Sequence, residues 1–216
     1  MIKAVIFDLD GVLVRTDEMH FLAWMRLAQE LGIKNFTKED NLLQRGVSRM
    51  ESLEVVLNKS SQRYSNEEKS VLAKRKNSYY VELLQALKPS DVLRGARHAV
   101  EGLRAKGVLT AIGSASKNTP LILEKTGLAP LFDAVADGND IARSKPDPQV
   151  FLVAAQKLGI PPEHCLVVED ADAGIQAGRC AGMKTLGVGP AACNPKASFH
   201  AQSLADPTLD WRELLA

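Results

Sequence analysis

The feature that most constrains this chain is the apolar run over residues 2 to 7, broken only by Lys3, which stops abruptly at Asp8-Leu9-Asp10-Gly11. A near-continuous run rich in β-branched residues reads as a strand buried on both faces, as in a parallel sheet. A turn beginning at Gly11 then leaves Asp8 and Asp10 at the strand's carboxyl end. Similar short runs recur at 108–113, 134–136, 165–168 and 185–188, separated by helical patterns at 95–106, 118–126, 148–159 and 173–182. Alternating strand and helix predicts an α/β fold built on a parallel sheet. Gly107, Gly127, Gly159 and Gly182 each close a helical run, where a left-handed cap favours glycine.

Between the first strand and residue 95 the alternation lapses into consecutive helical patterns at 17–32, 38–44, 49–59 and 66–87. This stretch reads as a helical cap domain inserted after the first strand of a Rossmann-like core. The expected division is 1–15 and 93–216 for the core and 16–92 for the cap. Ser48-Arg49-Met50-Glu51 has the form of a capping box that starts a helix. The segment 191–207, small and polar with two prolines, carries no clear period.

Composition excludes several partners. Lys and Arg (27) nearly balance Asp and Glu (26), so nothing favours a nucleic acid or a membrane surface. Cys165, Cys180 and Cys193 form an odd set without a CxxC pair, which fits neither a disulfide framework nor a zinc site. They read as thiols of a reducing cytosol, so a cytoplasmic location is expected. The first apolar run is too short for a signal peptide or a membrane span.

The chemistry-bearing residues gather at predicted strand ends, where open α/β sheets bind ligands. An isolated Asp-x-Asp is often a solvated turn, but the apolar strand running into Asp8 weakens that reading. A carboxylate can attack phosphorus to form an aspartyl phosphate, and a second can protonate the departing oxygen. Glu169-Asp170 repeats the arrangement after the strand at 165–168; it can cap the next helix, and with Asp8 and Asp10 it also makes an oxygen-rich pocket suited to magnesium. Ser114 ends another strand, and Ala115-Ser116-Lys117-Asn118 leads into a helix, a place for phosphate oxygens or for a plain cap. Lys145, just before a proline-started helix, would balance charge beside a phosphoaspartate.

Asp8-Leu9-Asp10-Gly11-Val12, Ser114, Lys145 and Glu169-Asp170 stand in order as the four motifs of the haloacid dehalogenase superfamily, which the chain resembles. Within it, residues 1 to about 189 are similar to the β-phosphoglucomutase family. That likeness rests on Thr16, His20, Trp24, Gln44-Arg45-Gly46-Val47-Ser48-Arg49, Ser52, Lys74-Arg75-Lys76-Asn77 and Ser114-Ala115-Ser116-Lys117-Asn118. Such enzymes interconvert β-D-glucose 1-phosphate and D-glucose 6-phosphate, with β-D-glucose 1,6-bisphosphate as intermediate and activator. Small-molecule sugar phosphates as partners and a monomer are expected too.

The resemblance implies a catalytic set of Asp8 as nucleophile, Asp10 as acid/base, Thr16 and His20 at the hinge, and Ser114 and Lys145 on the transferring phosphoryl group together with Ala115. It implies one Mg2+ held by Asp8, Glu169, Asp170 and a main-chain oxygen of Asp10. Arg49, Ser116 and Asn118 would grip the substrate's other phosphate, and Trp24, Gly46, Val47, Ser52 and Lys76 would line the sugar site. His20 and Trp24, one helical turn apart, also suit simple core packing. Arg49 in a first helical turn opposes the helix dipole and so wants an anion. Two departures stand out: Arg15, where these mutases commonly carry an acid or small polar residue, and Ala171, in place of a frequent serine. A sugar-phosphate phosphatase with the same nucleophile, or a non-enzymatic sugar-phosphate-binding regulator, are the alternatives to a mutase.

Overall fold

The computed structural model describes residues 1–44 and 46–216; Arg45, quoted above for the likeness, lies outside the described residues. Six strands, β1 (Ala4–Phe7), β2 (Leu109–Gly113), β3 (Ala134–Ala136), β4 (Cys165–Glu169), β5 (Lys184–Gly187) and β6 (Phe199–His200), form one sheet in the order β3-β2-β1-β4-β5-β6. Every neighbouring pair is parallel. β1 is a central strand with all four residues buried, as its unbroken apolar run predicts. Its side chains alternate between two cores: Val5 and Phe7 enter one apolar cluster, Ala4 and Ile6 the other. Helices α5 (Ala96–Ala105) and α6 (Thr119–Thr126) cover the first face, and α7 (Gln149–Leu158) and α8 (Asp172–Cys180) the second.

The chain leaves β1 towards β2 on one side and later fills β4 on the other, so the strand order reverses at β1. Such a switch opens a crevice beyond the carboxyl ends of the strands. Asp8, Ser114 and Glu169-Asp170 end β1, β2 and β4 around that crevice.

Residues 17–84 form α1 (Asp17–Glu30), α2 (Lys38–Leu42), α3 (Arg49–Leu57) and α4 (Asn66–Leu84), with a third apolar cluster of their own that includes Trp24, Leu27, Leu53 and Val56. The Ser48-Glu51 capping box forms with both reciprocal bonds, 2.8 and 3.1 Å. α1 and α4 also send Ala23, Tyr80 and Leu84 into the cluster on the sheet, which seats these helices over the crevice. The two connections meet beside the first strand's turn, where Leu93 N donates to Leu13 O at 2.8 Å and Arg15 N to Asp91 O at 3.2 Å.

Most helices end one to three residues earlier than the sequence pattern suggests, α6 ending at Thr126 as expected, and the predicted glycine caps hold: Gly107, Gly127, Gly159 and Gly182 have φ of 75°, 64°, 69° and 76°. The segment without a legible period contains β6, and beyond it α9 (Trp211–Leu215) docks against the sheet face. Trp211 stands 6.4 Å from Phe7 between ring centroids, and Ile2 N donates to Leu215 O at 2.9 Å. No helix among the described residues is long and apolar enough to cross a membrane.

Because Leu214 is only 4 % exposed and belongs to the same cluster as β1, the tail is part of the core. Leu214→Ala should therefore lower the unfolding free energy by about 2 to 4 kcal/mol. Denaturant titration would show this as an earlier midpoint with an unchanged slope; an unmoved midpoint would mean that the tail packs without contributing to stability.

Candidate active site

β1 delivers Asp8 to the crevice 8 % exposed, and the Gly11 turn re-aims the chain so that Asp8 and Asp10 meet different partners. Lys145 Nζ donates to Asp8 Oδ1 at 2.6 Å and also to Glu169 Oε1. Asp10 Oδ1 instead accepts from the hydroxyl of Thr16, the residue that precedes α1. Gly11 is in the left-handed region (φ 82°), and a Cβ there would collide with the Asp170 carboxylate. The glycine therefore serves both the turn and the close approach of Asp170.

Asp8, Glu169 and Asp170 are buried, and each offers an oxygen within 4.8 Å of the others. Lys145 is bonded within this cluster, whose hard carboxylate oxygens suit a divalent cation such as magnesium. Gly174, in the first turn of α8, leaves the room the Glu169 carboxylate occupies; a Cβ there would overlap it. Glu169 Oε2 also accepts from Ala171 N at 3.1 Å, so the helix-start and cluster roles coexist in one side chain.

Burial sets the electrostatics. Desolvation alone would pull Lys145 down, but the charges of Asp8 and Glu169 outweigh it and push it above its ordinary value. Desolvation pushes Glu169 up, with Lys145 pulling the other way. Asp10 is pushed up to about 6, by desolvation first and by the Asp8 charge second, against the Thr16 hydrogen bond. A carboxyl poised there can carry a proton in either direction near neutrality.

Ser114, 1 % exposed, follows β2; its Oγ accepts from Ser116 N at 3.1 Å, and Ser116 Oγ accepts from Asn118 N at 3.2 Å. Asn118 precedes α6 without capping it by its side chain; Nδ2 reaches Asn77 Oδ1 of α4 at 2.9 Å, joining the helical segment to the core. On the helical side, Lys76 is 2 % exposed and its ammonium lies 2.9 Å from His20 Nδ1, 4.6 Å from the Trp24 ring centre and 4.7 Å from that of Tyr80. Desolvation, then Lys76 and Arg49, hold His20 well below its usual range, so the neutral ring accepts the lysine's hydrogen bond. Arg49 is half-buried, which lowers its pKa, and no acidic partner faces it among the described residues.

A cavity of about 790 Å³ joins these groups. Asp8, Asp10, Asp170, Ser114, Ala115, Ser116, Asn118 and Lys145 line it from the core, and His20, Trp24, Gly46, Val47, Arg49, Ser52 and Lys76 from the helical segment. Thr16 and Glu169, both fully buried, lie behind its wall. Further lining residues escaped the sequence reading as site members, among them Asn77, Lys117 and Tyr80. Tyr80 was traceable in principle, since it follows Lys76 by one helical turn and so shares its face. Arg15, noted as a departure, also lines the cavity from the connection before α1, whereas Ala171 packs 7 % exposed beside Gly46.

Residues 2–182 match the family described as haloacid dehalogenase-like hydrolase. The β-phosphoglucomutase of Bacillus subtilis is 40 % identical over 210 residues, 96 % of this chain and 92 % of that one. The phosphorylated carbohydrates phosphatase of Thermotoga maritima is 30 % identical over 207 residues, 94 % and 93 % of the two chains. The crystal structure of β-phosphoglucomutase from Clostridium difficile superposes with a TM-score of 0.91 at 36 % identity, covering 99 % of this chain and 96 % of that one.

The room that Gly174 leaves for Glu169 yields a direct test of the carboxylate cluster. Gly174→Ala should weaken magnesium binding about tenfold or more if the displaced Glu169 carboxylate is a ligand, although alanine is the better helix former. Calorimetric titration of the cation would read this; unchanged affinity would remove Glu169 from the metal-binding set.

Proposed function

The chain belongs to the haloacid dehalogenase-like hydrolase family, and we propose that within it this protein is a β-phosphoglucomutase, converting β-D-glucose 1-phosphate to D-glucose 6-phosphate. The observation that carries this reading is Arg49: a half-buried guanidinium with no acidic partner among the described residues, in the same cavity as Asp8. A phosphate at the far end of a sugar whose other end reacts at Asp8 is the anion it lacks. We read residues 16–92 as the cap that carries this grip and residues 1–15 and 93–216 as the phosphoryl-transfer core.

The cycle starts from Asp8 carrying a phosphoryl group. The sugar's 6-hydroxyl attacks phosphorus, its proton passes to Asp10, and the bond between phosphorus and Asp8 breaks to give β-glucose 1,6-bisphosphate. After the bisphosphate turns end for end, an oxygen of Asp8 attacks the phosphorus at C1. Asp10 returns the proton to the departing oxygen, releasing glucose 6-phosphate and restoring phospho-Asp8. A magnesium ion held by Asp8, Glu169, Asp170 and a main-chain oxygen of Asp10 would supply positive charge to the transferring phosphoryl oxygens. Lys145 and the Ser114-Ala115 turn hold the same oxygens, while Ser116 and Asn118 share the second phosphate with Arg49. Lys76, Ser52, Gly46, Val47 and Trp24 shape the sugar site.

The likeness to the Thermotoga maritima phosphatase supports a second reading, in which water takes the place of the sugar hydroxyl. A phosphorus NMR time course with β-glucose 1-phosphate, magnesium and a trace of the bisphosphate separates the two. Glucose 6-phosphate is the expected product; accumulation of inorganic phosphate alone would establish a phosphatase.

Arg49→Ala should lower mutase kcat/KM about ten- to hundredfold, the value of a charge-assisted contact, while hydrolysis of the phosphoenzyme changes little. The ratio of inorganic phosphate to glucose 6-phosphate should rise. An unchanged ratio together with an unchanged mutase rate would leave Arg49 as a helix-start residue only.

A further inference from the structure

Tyr80 lies on α4, 1 % exposed and on the wall of the catalytic cavity. Its ring stacks on the His20 imidazole at 3.9 Å between centroids, and the Lys76 ammonium bonded to that imidazole lies 4.7 Å from the ring centre. Its hydroxyl is buried close enough to the Thr16 hydroxyl and the Asp10 carboxylate to feel both, yet among the described residues no hydrogen bond of normal geometry satisfies it. Native proteins rarely keep a buried hydroxyl unpaired in every state they visit.

Thr16 is fully buried, and its hydroxyl donates to Asp10 Oδ1. To exchange a proton with a substrate oxygen, Asp10 must turn its carboxylate into the cavity, as its assignment as acid/base requires. The Thr16 hydroxyl then loses that acceptor, and its burial denies it solvent. Among the described residues, the Tyr80 oxygen is a neighbouring polar atom with no other hydrogen bond to give up.

We propose that Tyr80 is a positioning residue whose hydroxyl oxygen takes over the Thr16 hydrogen bond when Asp10 turns to the substrate, so that freeing the acid/base strands no buried hydroxyl. The exchange breaks one hydrogen bond and forms another, with no net transfer of charge. Burial and then the Asp10 charge push the phenol well above its usual range, so Tyr80 stays neutral throughout. It also links three segments, α4 through Tyr80, the start of α1 through Thr16 and the turn after β1 through Asp10, so displacement of α4 from the core would withdraw the alternative acceptor.

The inference rests on Asp10 as acid/base, which the mutase and the phosphatase share. Its test is Tyr80→Phe in the full chain with magnesium, β-glucose 1-phosphate and a trace of β-glucose 1,6-bisphosphate, following both glucose 6-phosphate and inorganic phosphate. We expect kcat to fall about five- to hundredfold, the rate equivalent of one unpaired buried hydroxyl, with KM little changed. The melting temperature should stay level or rise, because phenylalanine keeps the stacked ring and removes the unpaired group. In a Thr16→Val background the same substitution should have no further effect, since the two residues act as a unit. An unchanged kcat, a fall that tracks lost thermal stability, or an equal fall in the Thr16→Val background would overturn the proposal. Should the wild-type protein release only inorganic phosphate, the mutase reading fails separately, and the same comparisons apply to the rate of phosphate release.

Discussion

The buried ammonium of Lys145, held between the carboxylates of Asp8 and Glu169, is the interaction on which the rest of this structure depends. It joins the ends of two neighbouring strands to a loop that reaches them from across the sheet. Without it, two buried carboxylates would face each other with one cation fewer, and leaving a buried charge uncompensated costs about 3 to 5 kcal/mol. The same pairing holds the Asp8 carboxylate against a fixed cation, which suits a nucleophile that must approach an anionic phosphoryl group. The packing of the strand ends and the placement of the proposed nucleophile therefore rest on one side chain.

A division of charge follows from the architecture. Carboxylates concentrate at the strand ends, where Asp8, Glu169 and Asp170 cluster, and the basic side chains of half-buried Arg49 and buried Lys76 sit across the cavity on the helical segment. Lys76 is held by aromatic faces and a neutral histidine rather than by a carboxylate. Desolvation and then the Arg49 charge hold Lys76 well below its usual range, so an anion bound beside it would favour its charged form.

The sequence made the sheet legible because its central strands are buried on both faces, and such strands appear as unbroken apolar runs. Helix ends were legible where glycine must take a positive φ, as at Gly127 and Gly159. The short edge strand Phe199–His200 and the terminal Trp211–Leu215 helix were not, because two residues and five residues are too few to display a period. At the site, motif runs such as Asp8-Leu9-Asp10 were legible as candidates by their place at a strand's end, and the structure brings them to one cavity. Tyr80 did not: an aromatic on an amphipathic helix looks like core until its hydroxyl is found without a partner. The different aims of Asp8 and Asp10 depend on the Gly11 turn, which strand alternation alone does not foretell.

The central claim is that Asp8 carries the phosphoryl group through the reaction. The most direct test mixes the magnesium-loaded protein rapidly with β-glucose 1,6-bisphosphate, quenches in acid and maps the phosphorylated peptide by mass spectrometry. The account predicts an acid-stable, base-labile phosphoryl group on Asp8, absent from Asp8→Asn. Phosphorylation of a different residue, or turnover of Asp8→Asn at half the wild-type rate, would contradict it.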